Sequence, residues 1–382
     1  MSQPRRTVAI VGAGIGGLTA ALAFARHGAE VFVYEKAAAL AEIGAGIQIT
    51  PNGGRVLAAL GLADGLANIS IAGCAVVPID ALTGRDVTRF DLSAQSPRYV
   101  FVHRAGLQTM LADAAHAAGV TLHFGVAVTD VSPDGVLQTT AGPVHADLVV
   151  GADGIHSIMR GVCEPGAEPA KFTGQVAWRA VVPMRGSYAQ ASIWMAPKRH
   201  VVTYPLAGDL LNIVAVQERD TWAAEGWHHS DDRANLQAAF ADCAPQLQQI
   251  LARVETPGLW GLFRHPVASI WSRGRCVVLG DAAHPTLPFL AQGANLAIED
   301  AYVLAQCCQD ATSLPSALHM YQTMRRDRVV RAISAAQKNA KNYHLSGVKR
   351  KLGFAGLKTL GAVAPDAFIN RLGWLYNHDV TA

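Results

Sequence analysis

The chain opens on a short β-branched run, Thr7 to Val11, which predicts a buried strand. Gly12-Ala13-Gly14-Ile15-Gly16-Gly17 follows, then a helical pattern to about His27 that Gly28 stops. Glu30 to Tyr34 predicts a second strand, ending at Glu35. Thr50-Pro51 predicts a helix start, with Thr50 as N-cap, running to Gly61. Gly73 to Leu92 alternates around Thr83-Gly84-Arg85, as a hairpin does, and Tyr99 to His103 reads as a strand feeding a helix from Arg104 to Ala118. Thr121 to Thr140 predicts two or three strands with a turn at Pro133-Asp134-Gly135, and Asp147 to Val150 a further buried strand. Cys276-Val277-Val278-Leu279 is the last such run. Gly280-Asp281 ends it, Pro285 and Pro288 keep the next residues out of helix, and a helix continues to about Gln306.

The texture changes between about 171 and 270. Gln175–Pro183, Ala191–Met195, His200–Pro205 and Leu210–Val216 are strand-like, and a helix is predicted from about Asp231 to Val254. After Ser316 the chain reads as helical, with Arg325, Arg326, Arg328 and Arg331 expected on a solvated face. These patterns predict an α/β protein. A Rossmann-like nucleotide domain is expected from 1–72, 98–170 and 271–315. A mostly antiparallel β domain, from 73–97 and 171–270, is inserted into it, and 316–382 form a C-terminal helical region.

GxGxxG between a strand and a helix, with an acid roughly 20 residues on, points to a dinucleotide. The glycines allow close approach to a pyrophosphate, and the Glu35 carboxylate accepts from ribose hydroxyls, which argues for FAD or NAD over NADP. Hydrophobic residues make up 51% of the 382 and charged residues 16%, enough to bury a large core. A formal charge of +3 is too weak to argue for nucleic acid but does not repel a small anion. Six cysteines without a CxxC pair fit free thiols in a reducing cytoplasm, with no zinc site or other metal expected. Arg5-Arg6 mimics a twin-arginine signal, but four glycines in the following segment fit a nucleotide turn better. No run of about 18 apolar residues predicts a membrane span.

Three motifs stand in order: GAGIGG with Glu35, Gly151-Ala152-Asp153-Gly154 with Ser157 and Arg160, and Gly280-Asp281 with His284-Pro285. Their combination resembles the single-component, class A FAD-dependent aromatic hydroxylases with the p-hydroxybenzoate hydroxylase fold. Leu290 to Asn295, Ile298-Glu299-Asp300, Tyr343 to Gly347 and Trp374-Leu375-Tyr376 resemble the salicylate hydroxylase and 3-hydroxybenzoate 6-hydroxylase branch. The resemblance implies FAD held by Gly12, Gly14, Gly17, Glu35, Lys36, Arg104 and Asp281. It implies backbone contacts from Gly46, Ile47 and Val128, with Gly293 and Ala294 near the flavin ring. It also implies transient NADH or NADPH binding involving Asp153, and hydroxylation of a phenolic or heteroaromatic ring by O2 through a flavin C4a-hydroperoxide.

A base that deprotonates the phenol helps such a reaction, and His is the usual choice. His200 and Tyr204 are four apart on a strand and share a face. The resemblance makes them the catalytic pair, with Tyr99, Leu287 and Pro288 against the substrate. His284 is expected to hold its loop. Trp178-Arg179 reads equally as pocket or as sheet packing, and no arginine stands out as a carboxylate dock. Pro288 stands where the 3-hydroxybenzoate enzymes carry a glutamine, a departure that bears on substrate choice. A ubiquinone-precursor or urate-type hydroxylase, or a flavin reductase or halogenase-like relative, fits the same motifs. A homodimer is compatible with all of these.

Overall fold

The computed structural model describes residues 6–40, 45–219, 229–287, 289–364 and 367–382. Among these, six strands form one sheet in the order Ser272–Arg273, Cys276–Val278, Leu148–Gly151, Thr7–Val11, Glu30–Glu35, Thr121–Phe124. All neighbours are parallel except the antiparallel Ser272–Arg273 edge. Val8, Ile10, Val149, Val150 and Val277 are fully buried, as parallel strands covered on both faces require. Helix Ile15–Arg26 packs against helix Gly293–Asp310. Their close approach needs Gly16, where a β-carbon would fall 3.1 Å from the Ala297 β-carbon on the second helix.

A nine-stranded, largely antiparallel sheet stands beside it. Its central strands are Gly258–Arg264, Lys171–Pro183, Leu210–Glu218, Arg199–Leu206 and Gln190–Ala196, with Ala75–Asp80 joined in parallel. Register decides which residues share a face. Arg179 pairs with Val214, and Val214 with Val202, so these three point the same way. Strand alternation then puts His200 and Tyr204 on that face too. The opposite face carries Val176, Trp178, Val201 and Ile213, packed against Leu236, Phe240, Leu247 and Leu251.

Leu236 and its helix-ending neighbour Phe240 belong to helix Arg233–Ala239 and its C-cap, Leu247 and Leu251 to helix Pro245–Leu251, so two helices stand in place of the single one expected over 231–254. Pro245 is the reason. It disfavours the helical conformation at Ala244, which sits at ψ 147.

Helix Leu314–Tyr343 is 30 residues long, about 45 Å. The arginine cluster on it is not a solvated face. Arg325 is 1% exposed; its Nη1 lies 2.6 Å from Glu299 and its Nε donates to Asp300 at 2.7 Å. Arg328 forks onto Glu299 at 2.7 and 2.8 Å and caps the carbonyls of Trp374 and Leu375. Only Arg331 keeps to the surface, over the Trp374 ring. The charge run hid this because residues 325 and 328 lie on the helix stripe of Tyr321, Val329 and Ala332, and their acidic partners are far away in sequence.

Burial alone raises the Asp300 carboxyl, but His284 and Arg325 outweigh it and hold the group at about 2. Removing one partner of a buried pair strands the other, so Arg325→Met is expected to cost about 3–5 kcal/mol in urea denaturation at neutral pH. The depressed Asp300 carboxyl stabilises the fold fully above the unfolded value near 4, and that part is lost as pH falls towards about 2. Stability of Asp300→Asn, followed by the same denaturation between pH 5 and 2, should therefore decline less steeply than wild type.

Candidate active site

The glycine turn after Val11 is built to leave backbone exposed. Gly12 adopts φ +101, and a β-carbon there would lie 2.6 Å from the Ala152 carbonyl oxygen. At Gly17 it would lie 2.0 Å from the carbonyl of Gly12. Gly14 is different: nothing lies within 4 Å of its β-carbon position, so its backbone faces open space at the start of helix Ile15–Arg26. That helix start carries no side-chain cap, which leaves its N–H groups for an anion. Glu35 ends its strand beside the turn and accepts from the N–H groups of Ala13 and Ala37, both at 2.9 Å. Lys36 is exposed at the rim. Val128, on strand Val128–Val131, packs against the core just after Val126, whose N–H bonds the Glu35 carbonyl.

Asp281 lies in the turn Gly280–Ala282, exposed to solvent yet set in a crowded crevice. Burial by the surrounding protein raises its carboxyl; His284, Arg104 and Arg179 oppose that rise. Arg104 opens its helix, and burial lowers its guanidinium while Asp281 counters. The turn is held from below. Asp300 accepts from the Gly280 N–H at 3.1 Å and from His284 Nε2. Arg160 donates to the carbonyls of Ala282, Ala283 and Pro266. The Asp153 carboxylate is taken up in its own turn by Ser157 Oγ and the N–H groups of Ile158 and Met159. The second motif thus braces the third. Helix Gly293–Asp310 points its uncapped start, with Gly293 and Ala294, into the same crevice.

The opposite wall is the sheet face carrying Arg179, His200 and Tyr204. Tyr204 is buried, stacks on Phe101 at 5.2 Å and presses on Gly46, where a β-carbon would lie 2.7 Å from its ring. The Gly46 N–H donates to Asn212 at 2.6 Å, which fixes Gly46 and Ile47 against the sheet. Tyr99 is buried and donates to Gln48. Burial pushes the Tyr99 and Tyr204 hydroxyls up, so both stay protonated. His200 is 1% exposed and packs against Phe289 and Tyr343. Leu287 meets the same face at Ala177 and Val216. Pro288 lies outside the described residues.

Several residues here escaped the motifs. Arg179 points towards the crevice while Trp178 packs away from it against Phe240, donating to Asp231. The Arg179 Nε is buried with no hydrogen-bond partner among the described residues. A charged residue within an apolar strand was the available signal. Asn52, Gln292 and Asn295 tie the 48–52 segment to the helix start through bonds of 2.6–3.1 Å. No sequence pattern marks such a network, because it joins positions 240 and 247 residues apart.

A dinucleotide fits this geometry: open backbone at Gly14, a strand-end acid at Glu35, and Arg104 and Asp281 further along the crevice. Two substitutions separate the cradle's functions. Gly14→Ala keeps an allowed backbone and is expected to fold, yet bind FAD at least about tenfold more weakly by flavin fluorescence titration. Gly17→Ala is expected to lower stability by about 1–3 kcal/mol through overpacking, read by thermal melting.

Comparison with known proteins agrees. The family described as FAD binding domain matches residues 5–336. The 3-amino-4-hydroxybenzoate 2-monooxygenase of Streptomyces cremeus is 34% identical over 354 residues, 88% of each chain. The 3-hydroxybenzoate 6-hydroxylase of Polaromonas naphthalenivorans is 31% identical over 395 residues, 98% of this chain and 96% of that one. Klebsiella pneumoniae HpxO, solved with FAD and uric acid, superposes with a TM-score of 0.85 at 27% identity, covering 98% of both chains. The chain belongs to the FAD binding domain family and is a single-component, FAD-dependent aromatic-ring monooxygenase.

Proposed function

We propose that the enzyme hydroxylates a small anionic phenol of the hydroxybenzoate type, using NADH or NADPH and O2, with His200 as base. The observation that carries this is the shared sheet face. His200 and Tyr204 are about 13 Å apart along their strand. A single substituted ring can bridge that span with a hydrogen bond of about 2.8 Å at each end. FAD, bound in this crevice and reduced by the nicotinamide, would supply the electrons that activate O2, and O2 is the source of the oxygen atom inserted into the ring. The remaining chemistry belongs to this chain. His200 is kept neutral by burial and by His344, so it is ready to accept the phenol proton. Tyr204, kept protonated, donates to the ring's oxygen substituents, while Tyr99, whose O–H is committed to Gln48, walls the ring from the neighbouring strand. Arg179 brings a positive charge to a crevice whose near neighbours are Tyr204, Arg104 and Asp281, which favours a phenolate or carboxylate. Leu287 excludes water from the ring. The uncapped start of helix Gly293–Asp310 stabilises negative charge on the flavin edge.

A second reading, a hydroxylated heteroaromatic ring, is supported by the close superposition on HpxO with its uric acid. A panel of hydroxybenzoates, hydroxypyridines and purines, scored by product formed per NAD(P)H consumed, separates the two.

His200→Ala is expected to keep bound FAD and lose hydroxylation by about 100-fold or more, the ordinary worth of a positioned base. Unchanged coupled turnover removes His200 from that role. Arg179→Gln is expected to raise KM for carboxylated phenols about tenfold while leaving neutral phenols little affected, a difference of about 1.4 kcal/mol. Equal effects on both would count against an anionic substrate.

A further inference from the structure

His200 does not end at the crevice. Its Nδ1 lies 2.8 Å from Nε2 of His344, and His344 Nδ1 lies 2.7 Å from Oε1 of Glu218. The three residues come from separate elements. His200 is on strand Arg199–Leu206, Glu218 ends the neighbouring strand Leu210–Glu218, and His344 caps the long helix Leu314–Tyr343. Burial falls steadily outward along the chain. His200 is 1% exposed, the His344 side chain 3% and the Glu218 side chain 40%. Glu218 also lines a cavity of about 510 Å³ beside Gln337 and Lys341, so the outer end of the chain reaches water.

We propose that His344 and Glu218 form a proton relay that connects His200 to solvent. This rests on the reading of His200 as the base, and it adds how that base is set and reset. Polarity is dictated from the outside. A carboxylate only accepts, so Glu218 fixes the proton of His344 on Nδ1. The lone pair of His344 is then on Nε2, which fixes the proton of His200 on Nδ1. His200 is left with its lone pair on Nε2, the ring nitrogen away from His344. An acid two residues removed thereby selects the basic tautomer at the crevice.

The transfer balances. The phenol O–H gives its proton to His200 Nε2, and the His200 Nδ1–H bond breaks as that proton passes to His344 Nε2. The His344 Nδ1–H bond breaks in turn, and its proton goes to Glu218 and from there to water. Neither ring holds a charge at the end, which suits two imidazoles that burial keeps from protonating. The path in reverse restores both tautomers: the His200 Nε2 proton passes to the product phenolate while water, through Glu218, returns a proton to His344 Nδ1 and His344 Nε2 returns one to His200 Nδ1. His344 and Glu218 act through His200 and are relay and positioning residues.

The test uses the FAD-loaded enzyme and a hydroxybenzoate whose phenolate absorbs in the near ultraviolet. Phenolate formation after mixing is followed by stopped flow, without NAD(P)H. His344→Ala is expected to slow that step at least about tenfold, with FAD content and substrate Kd unchanged, and added imidazole is expected to restore it. Glu218→Gln, at the exposed end of its strand, checks the relay without opening the core, since an amide accepts the hydrogen bond but not the proton. It should also slow the step and lower its solvent isotope sensitivity. If both variants form phenolate at the wild-type rate, the relay is wrong, while a defect confined to His200→Ala keeps the base. If wild-type enzyme oxidises no phenol in the panel above, the wider reading fails and takes the relay with it.

Discussion

Glu299 and Asp300, adjacent and fully buried, are the point on which the rest of the structure hangs. Two carboxylates in a core are costly unless every lone pair is met. Here Arg325 and Arg328 come from the long helix, Asn52 from helix Pro51–Ala59, and His284 and the Gly280 N–H from the turn at Gly280–Ala282 and the residues just after it. The partners come from three separate parts of the chain. Satisfying the pair therefore locks the C-terminal helix, the crevice floor and the helix start at Gly293 into one arrangement. The turn Gly280–Ala282 is positioned by charges buried behind it.

The crevice has two walls of different character. One is made of turns and helix starts, where backbone N–H groups and a few charges, Glu35, Arg104 and Asp281, form a crevice that a phosphate and sugar chain fits. The other is a sheet face, where alternation places Arg179, His200 and Tyr204 on the side that meets Leu287 and Gly46. A cofactor with an anionic backbone and an apolar ring needs both. The sheet's far side is closed by two short helices, so side chains of one strand divide cleanly between core and site.

The cofactor half was legible because its chemistry is local. GAGIGG works through φ angles and close approaches within a few residues, and those are properties of the glycines themselves. The face shared by His200 and Tyr204 followed from strand period alone. Arg179 did not, since its strand alternates with apolar residues on both faces and only register with Val214 and Val202 shows which way it points. Arg325 and Arg328 were misread for a related reason. Their partners lie on helix Gly293–Asp310, and a charge cluster reads the same whether solvated or paired. The interrupted helix at Pro245 was readable from the proline and was overlooked in favour of the longer apolar period.

By itself the sequence determined the dinucleotide cradle, the class of fold and the strand that carries His200, because spacing of three or four residues fixes them. The tertiary structure decided what those residues are attached to. The chain from His200 through His344 to Glu218 joins positions 200, 344 and 218, and the carboxylate pair joins 52, 280, 284, 325 and 328. A hydrogen bond reaches about 3 Å whatever the separation in sequence. Contacts of that range depend on how the sheets and the long helix pack, and packing is a property of the whole chain.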